Sequence, residues 1–279
     1  MKYLNRLAKF LSVVPLAAAG LLSTQGVAQA GTLILEGSDA IGFHCALGSA
    51  PGCTYRDQVF KAIGGLSLLP IAVVGTTTGG AAVVSGTHAI VDMTDLSTAG
   101  ALSGYAAIYF IGAGGCCDSN PAAIAGRGAD LSTYLGGVGG AGGTVMIGNY
   151  EGDAGWNFLT GGVGNVAHVA GVGGALTGPS CTDGESITID GGNNGFTQPP
   201  AIGCWTHQAY DMPYFAGLGF TLNFFDADPA FATANPGFGP FSSLLSTGVT
   251  LSHTPEPGSI ALIGLAIAGF AATRHRKAA

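Results

Sequence analysis

Cys116 and Cys117 are the residues of this chain that most suggest nucleophilic chemistry. They follow the glycine-rich loop Gly112–Gly115, which ends an apolar strand-like run. Open α/β sheets bind their ligands at the carboxyl ends of strands, so this is a favourable position for a site. A thiol becomes a nucleophile when a base takes its proton, and His168 and His207 are the candidate bases. With Glu151 or Asp153 as an orienting carboxylate, these residues would suit a Cys-His-acid hydrolase, but their spacing along the chain does not show that they meet in space. A thiol that is exported to an oxidising compartment is more often a half-cystine, so a non-catalytic interpretation is preferred.

A candidate binding surface lies in the segment Phe196–Tyr210, which collects aromatic rings and hydrogen-bonding groups. Its relevant members are Trp205, His207, Gln208 and Tyr210. Aromatic faces with polar tips suit sugars and other neutral polar ligands, so the segment predicts a carbohydrate-binding wall. The alternative interpretation is a loop pinned by a disulfide, with its aromatic side chains packed into the core.

Two aspartates, Asp226 and Asp228, alternate on a predicted loop and suit Ca²⁺, which takes oxygen ligands from alternating positions. The complete sequence pattern of a calcium loop is absent, so solvated turn residues are the preferred interpretation. No metal site and no cofactor are predicted, and Ca²⁺ is the one ion that the spacing allows. His44 beside Asp39 is interpreted as structural, since a lone histidine near an acid usually is. The glycines of Gly136–Gly143 match no nucleotide-binding pattern.

The amino-terminal segment has the three parts of a secretory signal peptide. Lys2, Arg6 and Lys9 form a basic region, residues 10–22 form an apolar run, and an A-x-A cleavage site ends at Ala30. We expect signal peptidase to cut after Ala30 and the Sec route to export the remainder of the chain into an oxidising compartment.

The six cysteines all lie between residues 31 and 253, inside the predicted exported region. An even number of cysteines in a secreted chain predicts disulfides. Local spacing favours the pairs Cys45–Cys53 and Cys181–Cys204. The other two cysteines are adjacent in the chain, and the sequence leaves their pairing open. No C-x-x-C spacing supports a zinc site.

The carboxyl-terminal segment joins a Pro-Glu-Pro signature, an apolar span and a basic tail in that order. The signature is Pro255, Glu256 and Pro257, the span covers 258–273, and the tail carries Arg274, Arg276 and Lys277. This arrangement resembles the PEP-CTERM sorting signal of Gram-negative bacteria, which the membrane protease-transpeptidase exosortase reads. The resemblance implies that residues 254–279 are a sorting signal and that exosortase is a partner.

The apolar span 258–273 predicts a short transmembrane helix. Its sixteen residues would extend about 24 Å as a helix, against a hydrocarbon core of about 30 Å. The basic tail would stay on the cytoplasmic side and leave the domain 31–253 outside. We therefore expect an inner-membrane-anchored intermediate and then a location at the cell surface or in the extracellular matrix.

The charge of the predicted domain limits its partners. Between residues 31 and 253 only three basic residues, Arg56, Lys61 and Arg127, oppose fifteen Asp and Glu, which leaves a net charge of about −12. Such a surface repels nucleic acid and anionic lipid. Its length suits one domain with an ample core.

Apolar runs ended by glycines alternate with helical patterns along the domain. The predicted strands are 32–36, 71–74, 88–91, 106–111 and 144–147, with helices over 57–64, 96–102 and about 121–135. A further exposed strand is predicted over 186–190. Short buried strands that alternate with helices predict an α/β fold with a mostly parallel sheet covered on both faces.

The strand at 144–147 runs into Gly148, Asn149, Tyr150, Glu151 and Gly152. This order resembles the nucleophile elbow of the class I glutamine amidotransferase-like, flavodoxin-like fold, in which a strand ends in a sharp G-x-nucleophile-x-G turn. Tyr150 stands where that family has its cysteine, and a phenol with a pKa near 10 is a poor nucleophile at neutral pH. The resemblance therefore implies that the fold is retained and the amidase chemistry is lost.

Three functional hypotheses follow. The first is a non-catalytic binding or structural component of the envelope, or of the biofilm and exopolysaccharide matrix that the sorting signal implies. The second is a degenerate or relocated hydrolase that uses Cys116 or Cys117. The third is a carbohydrate- or cation-binding module.

Overall fold

The computed structural model describes ten ranges of the chain: 31–45, 47–75, 88–112, 119–136, 142–160, 165–168, 185–197, 207–227, 229–239 and 245–246. The predicted signal peptide, the sorting signal and four of the six cysteines lie outside these ranges. The structural statements below refer to the described residues.

Five parallel strands form one side of the main sheet. They are β1 (Thr32–Leu35), β2 (Ile71–Val74), β3 (Ile90–Met93), β4 (Ala107–Phe110) and β5 (Thr144–Ile147), in the spatial order β3-β2-β4-β5-β1. The predicted α/β class with a mostly parallel sheet is confirmed. A flavodoxin-like sheet has the order 2-1-3-4-5, and the observed order differs from it because the first strand of the chain lies beside β5 at one side of the parallel set. Only β2 to β5 keep the relative order of the first four flavodoxin strands.

Side chains of β1, β2, β4 and β5 alternate between two buried layers, because successive residues of a strand point to opposite faces. One face carries Leu33, Leu35, Ala72, Val74, Ile108, Phe110, Val145 and Ile147. The other carries Ile34, Ile71, Val73, Ala107, Tyr109 and Met146. Both sets are almost fully buried, which explains the continuous apolar runs in the sequence.

Helices cover both faces of the sheet. Helix α1 (Ala50–Gly64) begins with Pro51 in its first turn and packs Tyr55, Val59 and Phe60 against the second layer. The first layer is covered by α2 (Gly128–Tyr134) and by residues near α3 (Asn157–Thr160), chiefly Trp156. The hydrophobic core therefore lies in two slabs on either side of the parallel strands.

The predicted helix over 121–135 is divided in two. A 3₁₀ turn covers Pro121–Ile124, and α2 starts at Gly128. Ala125 and Gly126 lie between them with φ values of 51° and 77°, in the left-handed region that a right-handed helix cannot contain. The prediction of one continuous helix was wrong for this reason.

Short antiparallel elements complete the described fold. In the main sheet, β1 pairs with β11 (Leu245–Ser246), and β11 pairs with β9 (Leu222–Asn223). Two small ribbons pair β6 (Val166–His168) with β8 (Gln208–Tyr210), and β7 (Ser186–Ile187) with β10 (Phe225–Asp226). The remaining helices are α4 (Ile189–Asn193), α5 (Met212–Gly217) and α6 (Pro229–Ala234).

The predicted strand over 186–190 is shorter than expected, because Thr188 begins a helix. Its side chain accepts a hydrogen bond from the backbone N–H of Gly191, the usual role of a threonine at a helix amino terminus. Residues 186 and 187 keep the strand conformation, and the chain then turns into α4.

Candidate functional site at the carboxyl edge of the sheet

The ends of β1 and β5 bring two predicted loops side by side. The backbone N–H of Glu36 donates to the carbonyl of Ile147 at 3.0 Å, and that of Tyr150 donates to the carbonyl of Glu36 at 2.9 Å. The segment Glu36–Asp39 therefore lies against the predicted elbow. This is the carboxyl edge of a parallel sheet, where α/β folds place their ligands.

Asp39 lies between two histidines at this edge. The Nε2 atom of His44 is 3.2 Å from Oδ1 of Asp39, and the Nε2 atom of His207 is 3.2 Å from Oδ2. The side chains of Asp39 and His207 are 3% exposed, whereas that of His44 is 24% exposed. One carboxylate thus faces a buried imidazole on one oxygen and a solvent-accessible imidazole on the other.

Local backbone structure holds both histidines in place. His44 belongs to a π-helical turn, Ala40–Cys45, in which the N–H groups of Phe43 and His44 donate to the carbonyl of Asp39 at 2.9 and 3.3 Å. The N–H of His207 donates to the carbonyl of Gly37 at 2.8 Å. π-Helical turns are rare and are frequent at functional sites.

A disulfide fixes the end of the π-helical turn to α1. The predicted pair Cys45–Cys53 is present, and the Nη1 atom of Arg56 lies 3.1 Å from the sulfur of Cys45. Arg56 also pairs with Asp57 at 2.8 Å. His44 is therefore joined through its neighbour in sequence to the longest described helix of the fold.

The environment of His44 favours the neutral imidazole. Partial burial lowers the pKa of His44 below its usual value of 6.5, the negative charge of Asp39 opposes this, and His207 adds to the lowering. The ring is consequently in its basic form at neutral pH.

Glu36 is a second unusual acid beside this group. Its side chain is fully buried, and burial raises the pKa of its carboxyl to about 7, although the hydroxyl of Ser38 donates to it at 2.5 Å and opposes the rise. The negative charge of Asp39 also raises this pKa. Glu36 therefore exchanges a proton near neutral pH.

The predicted elbow places Tyr150 in the core rather than in a cleft. Its side chain is fully buried, its hydroxyl lies 2.6 Å from that of Thr160, and burial raises the pKa of the phenol to about 12. Two residues of this turn have positive φ values, Asn149 at 50° and Gly152 at 84°. Glu151 accepts a hydrogen bond from Nε2 of Gln208 at 3.2 Å.

The described part of the predicted binding wall faces inward. His207, Gln208 and Tyr210 are all buried, and Tyr210 packs its ring near those of Tyr150 and Phe215. Trp205 lies outside the described residues. The structure brings His207 to Asp39 and Gln208 to Glu151, and it does not present this set as an exposed aromatic surface.

Several of the other predicted site residues lie outside the part of the chain that the structure describes. Cys116, Cys117, Cys181 and Cys204 lie outside the described residues, and so does Asp228. His168 is in β6, where its backbone is in register with Gln208. Asp226 is exposed at the end of β10. Within the described ranges, no cluster of three or more His, Cys, Asp or Glu side chains is arranged to hold a metal ion.

Sequence reasoning missed the grouping of Asp39, His44 and His207. The sequence offered one indication of this site, which is that Asp39 follows the end of a predicted strand. The structural interpretation of His44 rests on its being a lone histidine near an acid, and the second histidine, His207, lies far away in the sequence. The backbone hydrogen bonds from His207 and Gln208 to the carbonyl of Gly37 bring His207 to the loop that carries Asp39 and His44.

Comparison with known protein families identifies the carboxyl-terminal segment. Residues 253–277 match the PEP-CTERM protein-sorting motif. The match includes the Pro-Glu-Pro signature and the basic tail, and it marks an exported protein that is targeted to exosortase. No curated protein and no solved structure matches the chain. In the ranges that the structure describes, every helix is too short or too polar to span a membrane, and residues 258–273 fall outside those ranges.

Proposed function

We propose that this PEP-CTERM protein acts at the cell surface or in the extracellular matrix as a non-catalytic binding or structural component. The sorting motif at residues 253–277 carries the proposal, because it directs the chain to exosortase. Signal peptidase would release the domain at Ala30, and the segment 258–273 would hold it in the membrane until exosortase acts. Exopolysaccharide is the partner that such a location offers.

The geometry of the predicted elbow supports a role without amidase chemistry. Tyr150 replaces the cysteine of the amidotransferase-like pattern, and its hydroxyl is bonded to Thr160 in the core. A phenol with a pKa of about 12 in that position is neither accessible nor ionised at neutral pH. The order of β2 to β5 supports descent from an amidotransferase-like or flavodoxin-like sheet, with the elbow kept as a packing element.

Replacement of Pro255, Glu256 and Pro257 by alanine tests the sorting step. We expect the variant to accumulate in the inner-membrane fraction, while the wild type reaches the surface or the culture medium. Ser252→Ala is the matched control, because Ser252 precedes the motif. Equal distribution of the wild type and the triple variant among the fractions would contradict the proposal.

A direct test of the matrix role compares the full chain with a fluorescent protein that carries only the signal peptide and residues 253–279. Both should be exported, but only the full chain should be retained in the matrix after washing. Equal retention would show that the domain contributes no binding.

Hydrolysis is a second candidate function, and the position of His207 favours it. This histidine was a predicted catalytic base, and its Nε2 atom lies 3.2 Å from a buried carboxylate at the carboxyl edge of the sheet. An imidazole beside a carboxylate is a common part of hydrolytic sites. Differential alkylation of Cys116 and Cys117 tests whether a thiol nucleophile accompanies it, since two paired half-cystines would remove that version of the hydrolase.

A further inference from the structure

Three exposed leucines lie together in the loop that joins α1 to β2, residues 65–70, which we call the leucine loop. Leu68 is fully exposed, and Leu66 and Leu69 are 66% and 44% exposed. Among the described residues, no other run of four contains more than one exposed large hydrophobic side chain. Apolar side chains that are grouped on a surface mark a contact site more often than single ones do.

Backbone hydrogen bonds hold the leucine loop in this conformation. The N–H of Leu69 donates to the hydroxyl oxygen of Ser67 at 3.1 Å. The carbonyl of Pro70 accepts from the N–H of Ala106 at 2.8 Å, which joins the loop to the start of β4. The three leucines are therefore displayed by a turn that is fixed to the sheet.

The leucine loop lies at the edge of the sheet toward which the carboxyl-terminal tail leaves. β2 begins at Ile71, directly after the loop, so the loop is at the amino edge of the parallel strands. β11 runs antiparallel to β1, with Leu245 beside Leu35 and Ser246 beside Ile34. The chain consequently leaves β11 in the direction of the same amino edge.

The distance along this edge is short enough for the tail and the loop to meet one membrane. β2 and β11 are four positions apart in the sheet, which corresponds to about 19 Å. Twelve residues lead from Ser246 to the start of the predicted span 258–273, and fully extended they reach roughly twice that distance. The span can therefore enter a bilayer beside the leucine loop.

The amino edge also differs from the rest of the domain in charge. The described residues that lead into the five parallel strands contain no Asp or Glu, and they are residues 31, 65–70, 88–89, 105–106 and 142–143. Acids follow these strands at the opposite edge, at Glu36, Asp39, Asp95, Glu151 and Asp153. Because a charged group loses hydration at a lipid surface, an edge without carboxylates can approach a bilayer that the acidic edge would avoid.

We propose that the leucine loop is a lipid-contact surface, whose side chains enter the interface of a phospholipid bilayer without net charge while the predicted span holds the tail. The inference rests on the membrane-held stage of the proposed function and adds a second contact to it. Apolar side chains of surface-bound segments enter the boundary between headgroups and acyl chains by about 5–10 Å. The domain then stands on its amino edge, and the carboxyl edge with Asp39 faces away from the lipid.

The test inserts the full exported chain by its tail into phosphatidylcholine vesicles and adds one tryptophan at a time. Leu68→Trp is the probe, and Leu47→Trp is the matched control, because Leu47 is an exposed leucine that precedes α1 at the carboxyl edge. Fluorescence is compared between ordinary phosphatidylcholine and phosphatidylcholine that carries bromine on the upper part of its acyl chains. After subtraction of the wild-type signal, bromine should quench the indole of Leu68→Trp about twofold and leave that of Leu47→Trp unchanged.

Flotation of the wild type with the vesicles separates the two levels of the proposal. If the chain floats but bromine quenches neither indole, or both equally, the leucine loop is not the lipid contact and the membrane-held stage stands. If the chain does not float, both fail.

A blue-shifted emission of Leu68→Trp that bromine does not quench would also overturn the proposal, since the loop would then be covered by the tail or by a second copy of the chain. Circular dichroism confirms that each variant is folded. If Leu68→Trp is unfolded, Leu66→Trp replaces it, because Leu66 is exposed in the same loop.

Discussion

The hydroxyl of Tyr150 lies 2.6 Å from the hydroxyl of Thr160, inside the core and beneath the carboxyl edge of the sheet. Thr160 in turn donates to the carbonyl of Trp156 at 3.2 Å, so Tyr150 is the donor in the pair. Tyr150, at the centre of the predicted elbow, is therefore part of the packing between the end of β5 and α3.

Tyr150→Phe should therefore lower the free energy of unfolding. A buried hydrogen bond contributes about 1 kcal/mol, and the loss of its donor leaves the Thr160 oxygen with one acceptor site unused. Tyr105→Phe is the control, because the Tyr105 hydroxyl bonds the carbonyl of Ala99 at 3.0 Å in a partly exposed place where water can substitute. Urea unfolding followed by circular dichroism measures the free energy of unfolding of both variants. An equal loss of stability in Tyr150→Phe and Tyr105→Phe would contradict the special role of the buried Tyr150 hydroxyl.

Gly148→Ala should destabilise the fold through a close contact at the end of β5. A Cβ atom there would lie 2.7 Å from the hydroxyl of Tyr109 and 3.2 Å from the carbonyl of Phe110. Overpacking of this kind costs about 1–3 kcal/mol. Gly104→Ala is the matched control, since a Cβ at Gly104 meets nothing within 4 Å. A thermal midpoint for Gly148→Ala equal to that of Gly104→Ala would show that the elbow has room for a side chain.

Glu36→Gln should change the pH dependence of stability. Burial raises the pKa of Glu36 from 4.5 to about 7 in the folded protein, so its protonated form is favoured there. The stability it contributes is complete below about pH 4.5 and is lost as the pH rises through 7, by about 3 kcal/mol in all. Glu36→Gln removes this decline, because the amide stays neutral.

Unfolding free energies at pH 5 and pH 8 measure the effect of Glu36. The difference between the two pH values should shrink in Glu36→Gln and persist in Asp226→Asn, whose side chain is exposed. If the wild type and Glu36→Gln show the same pH dependence, Glu36 is not the buried group that titrates near neutrality.

Replacement of both Cys45 and Cys53 by alanine should cost about 2.5 kcal/mol, the chain-entropy value for closing a loop of about nine residues. It should also loosen the turn that holds His44. Hydrogen exchange at the amides of Phe43 and His44 should become faster, while the amides of β2 serve as an internal reference. Unchanged exchange in the turn would mean that its backbone hydrogen bonds are sufficient.

Four strands of the parallel sheet, β1, β2, β4 and β5, could be predicted closely from the sequence because each is a buried apolar run. β2 and β5 have the predicted limits, and β1 and β4 end within a residue of them. β3 is shifted by two residues, since Asp92 interrupts its apolar pattern. The break in the predicted helix at Ala125 escaped prediction, because alanine is a strong helix former and only the surrounding structure forces its φ to be positive.

The candidate site could be predicted only in parts. The cysteine pair Cys45–Cys53 follows from local spacing and is confirmed. The approach of His207 to Asp39 depends on contacts between distant segments, which single-sequence patterns do not encode. The burial of Tyr210 also depends on tertiary packing, because an aromatic residue beside polar neighbours suits a binding surface and a core equally well.

The pairing of β11 with β1 sets how far the domain can move from whatever holds its sorting motif. β11 ends at Ser246 and the predicted membrane span begins at residue 258, so the chain from one to the other reaches at most about 43 Å even when fully extended. If the predicted span holds the tail in a membrane, β9 and β11 stay within this distance of the lipid surface. Release of the tail would remove that limit.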